Sequence, residues 1–157
     1  MLGLVPFDLS GGYTETTSRS MFCGMADALY SKTAPAPVTA TVTFDDTTDP
    51  AVLRMATVGV VTGVGNNRFD PYSELTREQA ATMLYRLAAA AGKPLPDVAA
   101  SFADNGSISS WASKEVGAVQ AAGIMNGVGD NRFDPKGSYT YEQSIVTMLR
   151  MYHYLNP

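Results

Sequence analysis

Residues 63 to 71 read Gly-Val-Gly-Asn-Asn-Arg-Phe-Asp-Pro, and residues 127 to 135 read Gly-Val-Gly-Asp-Asn-Arg-Phe-Asp-Pro. One position in nine differs, Asn66 against Asp130. Gly63 and Gly127, Phe69 and Phe133, Pro71 and Pro135 all stand 64 residues apart. Such self-similarity marks units that pack against one another, so it decides the fold before any single residue does. The match extends both ways. Gly59-Val60-Val61-Thr62 corresponds to Gly123-Ile124-Met125-Asn126, and Thr76-Arg77-Glu78-Gln79 to Thr140-Tyr141-Glu142-Gln143. Further upstream, Phe44-Asp45-Asp46 resembles Phe102-Ala103-Asp104 at an offset of 58. The third unit therefore carries about six extra residues ahead of its first helix.

A fainter copy lies at the amino end. Ser18-Arg19-Ser20-Met21 stands where Thr76-Arg77-Glu78-Gln79 stands in the second unit, and Gly3-Leu4-Val5 matches Gly59-Val60-Val61. Gly3 to Ser18 spans 15 residues against 17 from Gly59 to Thr76, so the first loop is shorter. The expected organisation is the second half of a first unit at 1–33, a linker at 34–43, a second unit at 44–91, a linker at 92–101 and a third unit at 102–157. Together they form one domain, the size being that of one compact body. The first unit lacks its first helix, which suggests that the chain is cut from a longer protein.

Each full unit reads as helix, loop, helix. Asp49-Pro50 is a helix start, with Asp capping free amides and Pro fitting the first helical position. Val52, Met55, Ala56 and Gly59 fall at helical spacing on one face. Gly59 followed by Val60 suits a left-handed stop. In the third unit the helix is expected from about Trp111 to Ala122, with Ala112, Val116 and Val119 on one face and Gly123-Ile124 as the stop. In the loops, Asn67 and Asn131 suit positive φ. Phe69 and Phe133 are expected to anchor the loops, and Pro71 and Pro135 to end them. Thr76 with Gln79, and Thr140 with Gln143, give capping-box patterns. The apolar stripe of the second unit is Ala80, Met83, Leu84 and Leu87. In the third it reads Ile145, Met148, Leu149 and Tyr152. That stripe is displaced by one residue, which turns its face about 100° relative to its cap.

Composition excludes several classes. Hydrophobic residues make up 45%, enough for a core, and the net charge is −4 with pI near 4.8. That balance argues against a nucleic-acid surface, which needs clustered Lys and Arg. One cysteine, Cys23, permits no internal disulfide and is expected to be buried and inert. No apolar run approaches the roughly 18 residues of a membrane span. No basic-then-apolar leader opens the chain, so a secreted parent would carry its signal ahead of Met1. The Asn/Asp loops lack calcium-ligand spacing. No nucleophile elbow, phosphate loop or metal-ligand cluster is present, and His153 stands alone. Neither an enzyme nor a cofactor is expected.

The ordered motifs resemble the S-layer homology domain. Trp111 to Gly127, Phe69 to Pro71, Phe133 to Pro135 and Thr76-Arg77-Glu78-Gln79 carry the likeness. It covers about residues 44 to 155 well and 3 to 30 weakly. The resemblance implies a mainly α, pseudo-three-fold bundle of helix-loop-helix repeats, a three-pronged spindle with grooves between units, here with an incomplete first repeat. It further implies a non-catalytic anchor on a bacterial cell wall, holding secondary cell-wall polysaccharide that often bears a pyruvate ketal. The family's groove residues carry over to Arg77, Trp111 and, for the faint unit, Arg19.

The residues themselves are compatible with that use. Arg77 lies in a first helical turn, where positive charge opposes the macrodipole by roughly 0.3–1 kcal/mol. A broken local rule is a candidate for function. Free amides of the Thr76-Arg77-Glu78 turn plus a guanidinium suit a carboxylate. An indole face suits a sugar ring, and Gly63 and Gly127 permit close backbone approach. The bland readings stand beside these. Arg77 equally suits a salt bridge to a neighbouring unit. A lone Trp in a small domain usually packs in the core. Glu78 and Glu142 are simple first-turn acids. Tyr141 replaces arginine in the third unit, Thr47 stands where the second unit would carry Trp111, and Ser20 replaces Glu78 in the first. One pocket at most resembles a full site, combining residues of two units. The alternative is a structural or protein-interaction scaffold that self-associates through the face left open by the incomplete repeat.

Overall fold

The structure is a computed structural model that describes residues 14–34 and 36–157. The Gly3-Leu4-Val5 match lies outside them. Five α-helices make up the described part: α1 (Arg19–Thr33), α2 (Pro50–Thr57), α3 (Arg77–Ala90), α4 (Ser113–Ala121) and α5 (Tyr141–Leu155). A 3-10 turn at Asn105–Ser107 precedes α4, and the described residues contain only isolated β-bridges, no strand. The protein is mainly α, as the repeat pattern implies.

The caps do what their sequences specify. Asp49 accepts from the Ala51 amide at 2.9 Å with Pro50 at the first position of α2. Reciprocal capping boxes open α3 and α5, from Thr76 with Gln79 and from Thr140 with Gln143. At the other ends, Gly59 and Gly123 take φ of 86° and 70°. The following amides reach back, Val60 to the Met55 carbonyl and Ile124 to that of Val119, both at 2.9 Å. These stops satisfy carbonyls that a helix end leaves open.

One expected stripe is overturned. The buried face of α3 carries Ala80, Met83, Leu84 and Leu87, as read from sequence. The buried face of α5 carries Ser144, Thr147, Met148 and Met151, each 64 residues on from its α3 counterpart. Leu149 is exposed, and Ile145 and Tyr152 are half-buried. The capping box sets the helical phase, so distance from the cap, not polarity, decides which side faces inward. The polar intruders are satisfied. Ser144 Oγ donates to the Tyr141 carbonyl at 2.6 Å, Thr147 Oγ1 donates to that of Ser144 at 3.1 Å, and the Tyr139 and Thr147 hydroxyls bond each other. Paired groups of this kind avoid the cost of buried unsatisfied polarity.

The three segments ahead of the second helices join in a closed ring. Leu75 N–H donates to the Thr17 carbonyl, Tyr139 N–H to that of Leu75 and Thr17 N–H to that of Tyr139, at 3.0, 3.0 and 2.8 Å. A second ring lies beside it: Arg19 to Ser73, Arg77 to Gly137 and Tyr141 to Glu15, at 2.9, 2.9 and 2.7 Å. Helices then pack across units. α1 lies against α2, α3 against α4, and α5 against both α1 and α3. The unit of sequence is therefore not the unit of packing: α1 and α3 are each covered by the first helix of the unit that follows.

Candidate functional site: two grooves between repeat units

The loops that carry the repeat are pinned from behind by an aspartate that sequence reading did not single out. Asp46 accepts from the amides of Phe69 and Asp70, and Asp104 from those of Phe133 and Asp134, all at 2.8 Å. For Asp46 the Phe69 amide is the largest influence and holds the carboxyl below its usual range. At Asp104 partial burial pushes the carboxyl up, but the two amides outweigh it and the result is again a lowered pKa. The loops need this support because Asn66, Asn67, Asp70, Asp130, Asn131 and Asp134 all hold φ between 51° and 60°, a region that, glycine aside, Asn and Asp visit more readily than other residues but still at a cost. Phe69 and Phe133 are fully buried, each tilted on a second ring, Phe44 and Phe102, with centroids at 5.3 and 5.2 Å.

The pinned loops present carbonyls to an arginine of the preceding unit. Arg19 donates from Nε to the Phe69 carbonyl at 2.9 Å and from Nη2 to that of Thr62 at 2.7 Å. Arg77 donates to the Phe133 and Asn126 carbonyls, both at 2.7 Å. Each guanidinium also lies over the phenylalanine ring, at 4.4 Å for Arg19 and 4.8 Å for Arg77. Burial is the largest influence on both and pulls their pKa values down, and nearby groups, chiefly Cys23 for Arg19 and Asp134 for Arg77, oppose it. Arginine remains charged under such a pull. Arg77 is only 4% exposed, whereas Arg19 is half-buried. The expected salt bridge from Arg77 is absent among the described residues; its partners across the unit boundary are carbonyls and a ring.

Two grooves open beside these arginines. The first, of about 180 Å³, is lined by Arg19 and Thr62, by Gln79, Thr82, Met83 and Arg86 of α3, and by Trp111. The second, of about 470 Å³, has Arg77, Asn126, Gly127, Thr140, Glu142, Gln143, Val146 and Arg150 among its walls. Trp111 is 54% exposed and stands in the turn just ahead of α4, which corrects the expectation of a core role. It shares its groove with Arg19, not with Arg77. Arg86, missed by sequence reading, is exposed and has no hydrogen bond or ion pair among the described residues. The first groove thus holds two guanidinium groups and an indole, with no carboxylate in its wall among the described residues. The second holds two guanidinium groups and the Glu142 carboxylate, with no indole.

The other expected residues fall as follows. Thr76 is a helix cap whose hydroxyl is used by the Gln79 amide. Glu78 is 2% exposed and lines neither groove. Its carboxylate takes the Ser109 amide at 2.8 Å, the Ser109 hydroxyl at 2.7 Å and the Lys136 ammonium. Burial would raise its pKa, yet Lys136 and Ser109 together lower it. Glu78 is a clamp between the second and third units rather than a groove acid. A Cβ on Gly63 would stand 2.8 Å from the Arg68 carbonyl oxygen and 2.9 Å from the Phe44 ring. On Gly127 it would stand 2.6 Å from the Arg132 carbonyl oxygen. The loop itself demands both glycines. Tyr141 is 7% exposed, and its amide joins the second ring at Glu15.

Residues 45–81 and 101–143 match the family model of the S-layer homology domain, about half of the chain. The chain belongs to the S-layer homology domain family. It is 40% identical over 80 residues to an S-layer protein of Bacillus thuringiensis subsp. finitimus, which covers 50% of this chain and 9% of that protein. It is 36% identical over 98 residues to an endoglucanase of Bacillus sp. (strain KSM-635), covering 61% of this chain and 10% of that enzyme. The chain spans about a tenth of the length of these relatives. Family membership supports a cell-surface anchoring module of non-catalytic kind. Among the described residues, no helix of this S-layer homology module is long and apolar enough to cross a membrane, and no group of three or more His, Cys, Asp or Glu is placed to hold a metal.

Proposed function

We propose that the module anchors its parent protein to a bacterial cell wall by holding secondary cell-wall polysaccharide in the groove of Arg19, Arg86 and Trp111. The observation that carries this reading is a half-exposed indole in one groove with two guanidinium groups, of which Arg86 has no hydrogen bond or ion pair among the described residues. A pyruvate ketal places one carboxylate on a sugar. Guanidinium groups recognise carboxylates with charge-assisted, often paired hydrogen bonds. A flat indole offers the apolar face of a sugar ring a surface to lie on. Arg19 has two of its donors committed to carbonyls, so it fixes the groove floor, and Arg86 supplies the free donors. The closed ring of backbone hydrogen bonds supports a pseudo-three-fold arrangement of the units, with boundaries at 1–33, 44–91 and 102–157.

Titration of the chain with a pyruvylated amino-sugar disaccharide tests the assignment. Binding by the wild type, weakened at least tenfold by Arg86→Ala and by Trp111→Ala, is the expected result. Unaltered affinity in both variants would remove this groove from the account. The second reading, a scaffold with sugar binding weakened, is favoured in the Arg77 groove alone. There the arginine is spent on backbone carbonyls, an acid enters the wall and no indole is present.

A further inference from the structure

The chain contains two Asn-Gly pairs, Asn105-Gly106 and Asn126-Gly127. Asparagine is a chemically labile residue. Its side-chain amide lies within reach of the next main-chain nitrogen, and a following glycine sets no Cβ in the way of that approach. Both pairs are exposed. Exposure therefore does not separate them, but their hydrogen bonds do.

Asn105 has its amide committed at both ends. Its Nδ2 donates to the Ala100 carbonyl at 2.6 Å, and its Oδ1 accepts from the Phe102 amide at 3.0 Å. These bonds hold the side-chain carbon away from the Gly106 nitrogen within the 3-10 turn. The Asn126 side chain has no hydrogen bond among the described residues, and the Gly127 N–H has no backbone acceptor there. Only the Asn126 main-chain carbonyl is held, by Arg77 Nη2 at 2.7 Å. Nor is Gly127 free to change, since a Cβ would stand 2.6 Å from the Arg132 carbonyl oxygen. The loop thus imposes the reactive neighbour on Asn126. The second unit keeps the same glycine, Gly63, but carries Thr62 ahead of it and so has no amide to lose.

We propose that Asn126 is a self-modification site, losing its amide through a succinimide with Gly127 and gaining a carboxylate in the wall of the Arg77 groove. The Gly127 nitrogen gives its proton to solvent and bonds to the Asn126 side-chain carbonyl carbon. The bond from that carbon to Nδ2 breaks, and the nitrogen leaves as ammonia. Water then opens the ring. Attack at the side-chain carbon gives aspartate. Attack at the main-chain carbonyl gives isoaspartate, in which the chain runs through the former side chain. The new carboxylate is then the former Asn126 carbonyl, the group that Arg77 holds. The sum is amide plus water to carboxylate plus ammonia, with no change of oxidation state. Asn126 lines the groove with Arg77, Arg150 and Glu142, so either product sets a second acid beside the two guanidinium groups. The Arg19 groove, walled by Thr62, escapes this change. The proposal is independent of the glycan reading above.

The full chain is kept warm in mildly alkaline buffer, sampled over time, digested and mapped by mass spectrometry. Replacement of the amide by a carboxylate adds about one mass unit. The expected result is that gain at Asn126 at least tenfold faster than at Asn105, with split elution of the Asn126 peptide into aspartate and isoaspartate forms. The intact aged chain is held longer on an anion exchanger, by one added negative charge. Asn126→Thr, which installs the residue of the second unit, keeps the wild-type circular dichroism and abolishes the retention shift. In urea the two sites gain mass at similar rates, because the bonds that protect Asn105 are gone. No gain at Asn126 in the folded chain, or equal gain at both sites, overturns the proposal. So does a difference between the sites that persists unchanged in urea, since the fold would then not be its cause.

Discussion

Replacing Arg77 by alanine is expected to unsettle the fold before it touches any ligand. The side chain is 4% exposed and bridges two units through the Phe133 and Asn126 carbonyls, both at 2.7 Å, with the Phe133 ring beneath it. A hydrogen bond to a charged group is worth about 1.5–3 kcal/mol, and a stranded buried carbonyl costs about 1–3 kcal/mol. Relief of the buried charge offsets part of the loss, as the downward pull of burial on its pKa indicates. The net expectation is a loss of about 3–4 kcal/mol. For a chain of this size that corresponds to roughly 10 °C in Tm. Arg77→Lys recovers less than half, because an ammonium cannot serve two carbonyls in the fork geometry of a guanidinium. Urea unfolding followed by circular dichroism measures this directly, with the m-value serving as a check that the denatured state is unchanged. An Arg77→Ala chain that unfolds at the wild-type urea concentration would refute the clamp. Arg19→Ala, at a half-buried site, is expected to cost less than Arg77→Ala in the same assay.

Three further outcomes are expected. Gly117→Ala is strongly destabilising, since its Cβ would stand 1.8 Å from the Val98 carbonyl oxygen and 2.6 Å from the Ala100 amide, backbone that cannot yield cheaply; the urea midpoint reports it. The lowered carboxyl pKa values of Asp46, Glu78 and Asp104 stabilise the fold fully above their unfolded values of about 4. That contribution is lost as pH falls through the folded values, so Tm drops below about pH 4 and Asp104→Asn flattens the drop. Burial pushes the Cys23 thiol up to about 12. The native chain therefore resists a thiol reagent at pH 8 and reacts on unfolding, which absorbance at the reagent's product band records.

Much of the fold was legible because the repeat fixes it locally. Caps at Asp49, Thr76 and Thr140 and stops at Gly59 and Gly123 depend on a few adjacent residues, and sequence carries those. The α5 stripe misled because Ile145 and Leu149 are apolar yet stand on the outer side, while Ser144 and Thr147 face inward with partners that only three dimensions reveal. Spacing from the Thr140 cap was the better guide. The groove was half legible. Arg19, Arg77 and Trp111 follow from motif positions, but their sharing does not, because packing runs between consecutive units. Trp111 lines the same groove as the arginine two units back, and Arg86, two turns along α3 from the motif, carried no signal but its spacing from Gln79. Asp46 and Asp104 were visible as a repeated aspartate, and their role needed the loop amides.

The anchoring claim meets its most direct test in co-sedimentation of the chain with bacterial wall sacculi, before and after acid extraction of the secondary polymer. The account predicts that the wild type pellets with intact sacculi and stays in solution with extracted ones, and that the Arg86→Ala, Trp111→Ala double variant stays in solution with both. Equal pelleting with extracted sacculi, or equal pelleting of the folded double variant, would contradict it.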